Sequence, residues 1–178
     1  MRSDAQANRA LLIDTAARLF VQHGDAVSMR SIAKEAGVGM GTLYRHFPDR
    51  DALIFAIGTN TFAKVRTLAA SVSSAEQFDE FVEKLAELQL GALVPILTLV
   101  RREGIPQEIW DDRQRTVREI ERAVAIARDA GVIREDVTAT RLLIGLLMSI
   151  RPLPDNVPVD FSDELAWVRK NFIRSLKA

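Results

Sequence analysis

Cysteine is absent from this 178-residue chain, which excludes disulfides and thiolate metal sites. That suits a reducing cytosol, and a cytoplasmic location is expected. Histidine is nearly missing: His23 and His46 are the only two, and no His-x-x-x-His pair exists. No Gly-rich phosphate loop and no serine elbow occurs either. Asp111-Asp112 is a carboxylate pair, but neighbours on a helix diverge, so a solvated or capping role is expected for it. Neither an enzyme nor a cofactor or metal is therefore expected. Aromatic residues make up only 6%, which favours packed aliphatic helices. The longest apolar run, Leu142 to Ile150, is far short of the about 20 residues that span a bilayer. The first residues, Met-Arg-Ser-Asp-Ala-Gln, lack the apolar stretch of a signal peptide, and no membrane partner is expected. Net charge is missing as well, with 24 cationic and 24 anionic side chains. A protein that coats nucleic acid would need more positive charge.

What is present is 48% hydrophobic residues, ample for the core of one or two small domains. They recur with helical period, and no segment reads as a convincing strand. A first helix is predicted from about Ala7 to His23, with Leu12, Ala16, Leu19 and Phe20 on one stripe. Asp49 caps a fourth, from Arg50 to near Ser71 through Leu53, Ile57, Val65 and Leu68. Ser74-Ala-Glu-Gln77 is a capping box for a fifth, through Phe78, Phe81, Leu85 and Leu88, which Pro95 should bend or end. A short helix reaching Glu103 and a turn at Gly104-Ile-Pro106 follow. The next helix is predicted over Gln107 to Ala130, turning Val117, Ile120, Val124 and Ala127 inward and capped by Gly131. Another starts at Asp136 or Thr138 and ends near Arg151-Pro152. It is apolar nearly all round from Leu142 to Ile150 and should be buried on more than one side. A loop holding Pro152, Pro154 and Pro158 leads to a last helix from about Ser162 to Lys177. The chain thus reads as all-α, with about nine helices.

The second and third helices carry the most information. Ser28 is an N-cap for a helix through Met29, Ile32, Ala33 and Ala36, and Gly37 supplies the left-handed residue that ends it. Val38 plugs the turn. The third helix, from Met40 to His46, buries Leu43 and Phe47, and Pro48 stops it. This is a helix-turn-helix, the motif whose second helix enters the DNA major groove. Between Ser28 and Arg50 the cations Arg30, Lys34, Arg45 and Arg50 face only Glu35 and Asp49, a modest basic patch.

The spacing of Arg9, Leu12-Ile13, Ala16-Ala17, Leu19-Phe20, Gly24, Ile32-Ala33, Ala36-Gly37-Val38, Gly41-Thr42-Leu43-Tyr44, His46-Phe47 and Leu53 resembles the N-terminal domain of the TetR family of bacterial transcriptional regulators. The resemblance covers residues 9–54, about a quarter of the chain. It implies a helix-turn-helix DNA-binding domain, placed at residues 1–48, and a helical ligand-binding and dimerisation bundle, placed at 49–178. The function it implies is a homodimeric, ligand-responsive repressor on a (pseudo)palindromic double-stranded operator.

Carried onto individual residues, Arg30 is expected to reach guanine or phosphate, and Arg45 to read bases. The hydroxyls of Thr42 and Tyr44 suit phosphate oxygens, which position rather than read; in similar proteins this tyrosine reaches the backbone. His46 is expected to donate from a neutral imidazole. Arg50, where the family usually carries lysine, is expected to clamp a phosphate, with Ser28 at the rim. Gly39 and Gly41 flank Met40 where many relatives carry larger polar residues. Base reading is then left to Arg30, Arg45, DNA shape and a Met40 contact with a thymine methyl. These glycines, with the zero net charge, keep open the reading of a helical binding protein whose DNA motif has decayed.

In the family an apolar cavity admits a small inducer. Phe55, Phe62, Leu93, Leu97, Trp110 and Met148 are the candidate lining, although apolar residues at helical spacing are core first. Of Arg101 and Arg102 at most one faces inward; Arg101 is the candidate, and would favour an anionic effector. The resemblance also implies a two-fold interface from the last two helices, through Leu142, Leu146, Leu165, Val168, Phe172 and Leu176.

Overall fold

The structure is a computed structural model and describes residues 2–88, 90, 106–149 and 161–178. Eight α-helices stand among the described residues. They are α1 (Arg2–His23), α2 (Met29–Glu35), α3 (Met40–His46), α4 (Arg50–Ala70), α5 (Phe78–Glu87), α6 (Gln107–Asp129), α7 (Ala139–Ser149) and α8 (Ser162–Ser175). No strand occurs among them; Ile133 and Lys177 form an isolated antiparallel bridge. The fold is all-α. The expected helix ending at Glu103, the bend at Pro95 and the proline loop after Ile150 lie outside the described residues. Ser74 and Gln77 do form a capping box, but on a short 3-10 turn, Ala75–Gln77, from which α5 continues.

Helix ends follow local chemistry. Asp49 accepts from Ala52 N–H at 2.7 Å and starts α4. Gly131, at φ 69°, ends α6: Gly131 N–H donates to Arg128 O at 2.9 Å and Val132 N–H to Ala127 O at 3.0 Å. That double bond pattern needs a left-handed residue, which glycine adopts without a Cβ clash. Thr138 Oγ accepts from Arg141 N–H at 3.2 Å, and Glu121 reaches across from α6 to accept from Ala139 N–H at 2.8 Å, so α7 is capped from two sides. Nearby, the hydrogen bond from Arg134 is foremost in holding the Asp136 carboxyl below its ordinary pKa.

Two apolar clusters make the core. The first gathers α1, α2 and α3 around Leu12, Phe20, Ile32, Leu43 and Phe47, and takes in Leu53, Ile54 and Ile57 of α4. The second joins Val65 and Ala69 of α4 to α5, α6 and α7 through Phe78, Leu85, Ile120, Val124 and Leu142. Helix α4 belongs to both.

Polar bonds fix α4 against α6. Asp112, expected on the surface, is only 7% exposed. Its Oδ1 accepts from Arg66 of α4 at 2.9 Å and from Arg115 at 2.9 Å. Arg66 also donates to Thr116 Oγ1 at 3.2 Å, and Thr116 donates to Asp112 O at 2.8 Å. Two turns further, Arg122 donates to Ala69 O at 2.8 Å and Val72 O at 3.0 Å, satisfying carbonyls at the end of α4.

Helix α7 departs from expectation. It buries Leu142 and Leu146 in the chain's own core, yet leaves Ile144 and Met148 exposed. An all-apolar sequence did not enclose it: α6 and α8 cover it on two sides, and the side carrying Ile144 and Met148 stays open. Opposite, α8 packs Phe172 onto Gly145, where a Cβ would lie 2.0 Å from the ring.

Replacing Asp112 by alanine leaves the Arg66 guanidinium without its buried partner. Because Arg66 is partly exposed and keeps Thr116 Oγ1 as an acceptor, urea unfolding should then show a loss of about 1–3 kcal/mol. A change within about 0.5 kcal/mol would remove this ion pair from the account of α4.

Candidate nucleic-acid interface

The geometry of the α2–α3 corner follows from Ser28, Ser31, Gly37, Leu43 and Phe47. Ser28 and Ser31 cap each other, with Ser31 N–H donating to Ser28 Oγ at 3.0 Å and Ser28 N–H to Ser31 Oγ at 3.0 Å. Gly37, at φ 67°, ends α2: its N–H donates to Lys34 O at 3.1 Å, and Val38 N–H donates to Ala33 O at 3.0 Å. The chain is thereby turned within three residues, and α3 begins at Met40. Leu43 on α3 and Phe47 directly after it are both buried in the first cluster. Met40 and Val38 pack at its edge. That anchoring selects the face which α3 turns to solvent: Gly41, Tyr44 and Arg45 are exposed, and Thr42 is half-buried beside them.

Around this face the sequence-predicted residues divide. Arg30 and Arg45 are exposed, and among the described residues they make no ion pair or hydrogen bond through their guanidinium groups. Lys34, absent from the expected site, is an equally exposed cation on α2; the charge pattern between Ser28 and Arg50 was the signal for it. Tyr44 presents its ring outward. A Cβ at Gly39 or Gly41 would meet nothing within 4 Å, so packing does not demand glycine there. The bare backbone lets the start of α3 approach a flat partner closely.

Three other candidates are engaged inside the chain. Arg50 donates to Val27 O and stacks over the Phe20 ring at 4.8 Å from its centroid, so it ties α4 to the head instead of standing ready as a phosphate clamp. His46 turns Nε2 inward, where it is enclosed without a hydrogen-bond partner among the described residues, and its ring centroid lies 6.4 Å from that of Phe47; that nitrogen is not offered to solvent. The Ser28 hydroxyl serves the cap. Two further bonds brace the head: Arg18 to Glu35 at 2.8 Å, and Arg9 stacked 5.2 Å from the Phe47 centroid.

The expected effector lining is not brought together among the described residues. Phe55 and Phe62 are half-buried on α4. Trp110 is exposed at the start of α6 with Arg113 stacked 5.0 Å from its ring centroid. Met148 is 64% exposed on the outer face of α7. Leu93, Leu97 and Arg101 lie outside the described residues. The expected seam divides similarly. Leu142, Leu146 and Leu176 are buried in the chain's own core and cannot face a second copy, and Leu165 and Phe172 are half-buried. Val168 is exposed, as are Ile144, Met148 and Trp167, the last 67% exposed. An apolar helix carries no sequence signal for which of its faces its own chain covers.

The sequence model for bacterial regulatory proteins of the tetR family matches residues 12–57. An HTH-type transcriptional regulator of Staphylococcus aureus (strain USA300) is 48% identical over 58 residues, 32% of this chain and 31% of that protein. One from the bovine strain RF122 is 48% identical over 66 residues, 35% of this chain and 36% of that protein. These alignments thus span about a third of the relatives' length. Over nearly the whole chain, a TetR transcriptional regulator from Streptomyces coelicolor has a similar structure: TM-score 0.64, 28% identity, covering 95% of this chain and 98% of that one. A TetR regulatory protein from Mycobacterium vanbaalenii shares the fold, with TM-score 0.63, 24% identity and 99% coverage of both chains.

Because the corner depends on the left-handed Gly37, Gly37→Ala should destabilise the protein by about 1–2 kcal/mol, read as a lower urea midpoint. Gly41→Ala, in open space with ordinary helical backbone, should leave the midpoint unchanged or raise it, helix propensity favouring alanine by about 1 kcal/mol.

Proposed function

We propose that this chain, whose residues 12–57 match the model for bacterial regulatory proteins of the tetR family, is a TetR-family homodimeric transcriptional repressor released from its operator by a small-molecule inducer. The observation that carries the reading is the solvent face of α3, where Tyr44 and Arg45 stand on a helix braced from behind by Leu43 and Phe47, with Arg30 and Lys34 free on α2. Arg45 is the base reader and Arg30 reaches a guanine or a phosphate, while Thr42 and Tyr44 hold phosphate oxygens. With Arg50, His46 and the Ser28 hydroxyl engaged inside the chain, few side chains remain for base edges. DNA shape then contributes to selectivity. The free cations, not the overall charge, supply attraction to phosphate.

One head is too small for a specific site, and a second copy supplies the other half-site one helical turn away. The exposed apolar side chains Ile144 and Met148 of α7, with Trp167 and Val168 of α8, support the face through which two copies join. Residues 1–48 act as the reading head and residues 49–178 as the sensing and pairing bundle, in the cytoplasm and without catalysis or cofactor. The inducer favours a state in which the two heads no longer match successive grooves. Couplings of about 1–3 kcal/mol change affinity about 5–150-fold.

Fluorescence anisotropy on DNA flanking the protein's own gene, beside a scrambled duplex, tests this. Specific binding should exceed the scramble by about 10³ or more. Arg45→Ala should cost about 1–3 kcal/mol and relax base preference. Tyr44→Phe should weaken native and altered sites alike, and the double variant should keep its helical content and its dimer. Equal binding by the double variant and the parent would sink the assignment of α3. Separately, Trp167→Asp should shift sedimentation from dimer to monomer; an unaltered dimer would place the seam elsewhere.

A further inference from the structure

Between α1 and α4 lies a cleft of about 330 Å³ to which none of the roles above assigns a ligand. Its size is at the lower end of small-molecule sites. Gln6 and Arg9 line it from α1 and Asn60 and Lys64 from α4, over a floor that includes Ala10 and the buried Ile13. Asp14 also lines it and pairs with Lys64 at 3.1 Å, spanning the two helices. One carboxylate thus faces two cations, which leaves a single positive charge uncompensated. The carboxamides of Gln6 and Asn60 both donate and accept.

We infer that this cleft binds a small monoanionic carboxylic acid bearing a hydroxyl group and a compact apolar body. The guanidinium of Arg9 matches a carboxylate with two parallel donors, which a compact ammonium does not do. The carboxamides meet the hydroxyl, and Ala10 with Ile13 receives the apolar part. A phosphate dianion suits it less, because only one net positive charge is present and the floor is apolar.

The cleft's position gives occupancy a consequence. The first apolar cluster ends on α4 at Ile57 and the second begins at Val65, and neither includes a residue from 58 to 64. A ligand touching Asn60 and Lys64 on one side and Gln6 and Arg9 on the other therefore sits where the two cores join. Arg9 is also the residue stacked on Phe47, directly after α3. An acid that captures Arg9 draws on that contact. This consequence for α3 rests on the proposed DNA reading, whereas binding in the cleft does not.

Equilibrium dialysis of the full chain against radiolabelled salicylate tests the site, with Arg9→Gln, Lys64→Met and Asn60→Leu compared and thermal melts run beside them. The parent should bind with a dissociation constant of about 1 mM or tighter, equivalent to about 4 kcal/mol. Arg9→Gln should weaken binding about tenfold or more, as expected for loss of a charged hydrogen-bonded contact. Lys64→Met and Asn60→Leu should each weaken it measurably while melting with the parent, and they carry the test if Arg9→Gln melts early. An excess of inorganic phosphate should not displace the acid. No retention by the parent, equal retention by all variants, or full displacement by phosphate overturns the proposal. DNA anisotropy on the same samples separates the two readings: lost DNA binding with intact salicylate binding overturns the head, and the reverse overturns only the cleft.

Discussion

The bond between Arg66 and Asp112 fixes how α4 lies on α6, and the rest of the molecule takes its position from α4. This helix completes the small core with Leu53, Ile54 and Ile57 and the larger one with Val65 and Ala69. Apolar packing between two long helices tolerates small slips. A carboxylate held by two guanidinium groups at 2.9 Å does not, since losing register would strand a charge that is nearly out of water. Such a pair adds little net stability over apolar residues of the same shape, so its contribution is best described as register. Arg122 at the end of α4 adds a second fixed point and closes off carbonyls that would otherwise lack partners.

The surface that faces outward from the head is what folding leaves over. Helix α3, Met40–His46, is far below the about 12–15 residues at which isolated helices become even marginal. Leu43 and Phe47 hold it in place, and their burial dictates that Tyr44 and Arg45 point away. Among the charged and polar residues nearby, Arg50 and Ser28 satisfy the fold's own needs and His46 turns Nε2 inward, whereas Arg30, Lys34 and Arg45 stay exposed. The division is physical: Arg50 finds a backbone carbonyl and the Phe20 ring within reach, while Arg45 is exposed and finds no such partner among the described residues.

The same accounting applies to α7 and α8. Leu142, Leu146 and Leu176 close the larger core, and Gly145 lets Phe172 seat between the helices. What remains outside is Ile144, Met148, Trp167 and Val168, a face with no covering partner among the described residues. Exposed apolar surface of that kind is unfavourable in water unless something covers it, which is the ground for proposing a second copy there.

Much of this was legible in the residues alone. Ser28 and Asp49 start helices, and Gly37 and Gly131 end them. Caps and left-handed turns are decided within a few residues, so their signals survive in a one-dimensional string. The inward positions Leu12, Phe20, Leu43, Phe47, Ile120 and Val124 were legible too, because burial repeats with the helical period. The tertiary structure alone decided that Asp112 is a buried partner and not a surface acid, because Arg66 lies 46 positions away and only packing brings them together. It alone decided that Arg50 and His46 turn inward, and which sides of α7 and α8 stay open. Those outcomes depend on which neighbour reaches a side chain first, and that neighbour is distant in the chain.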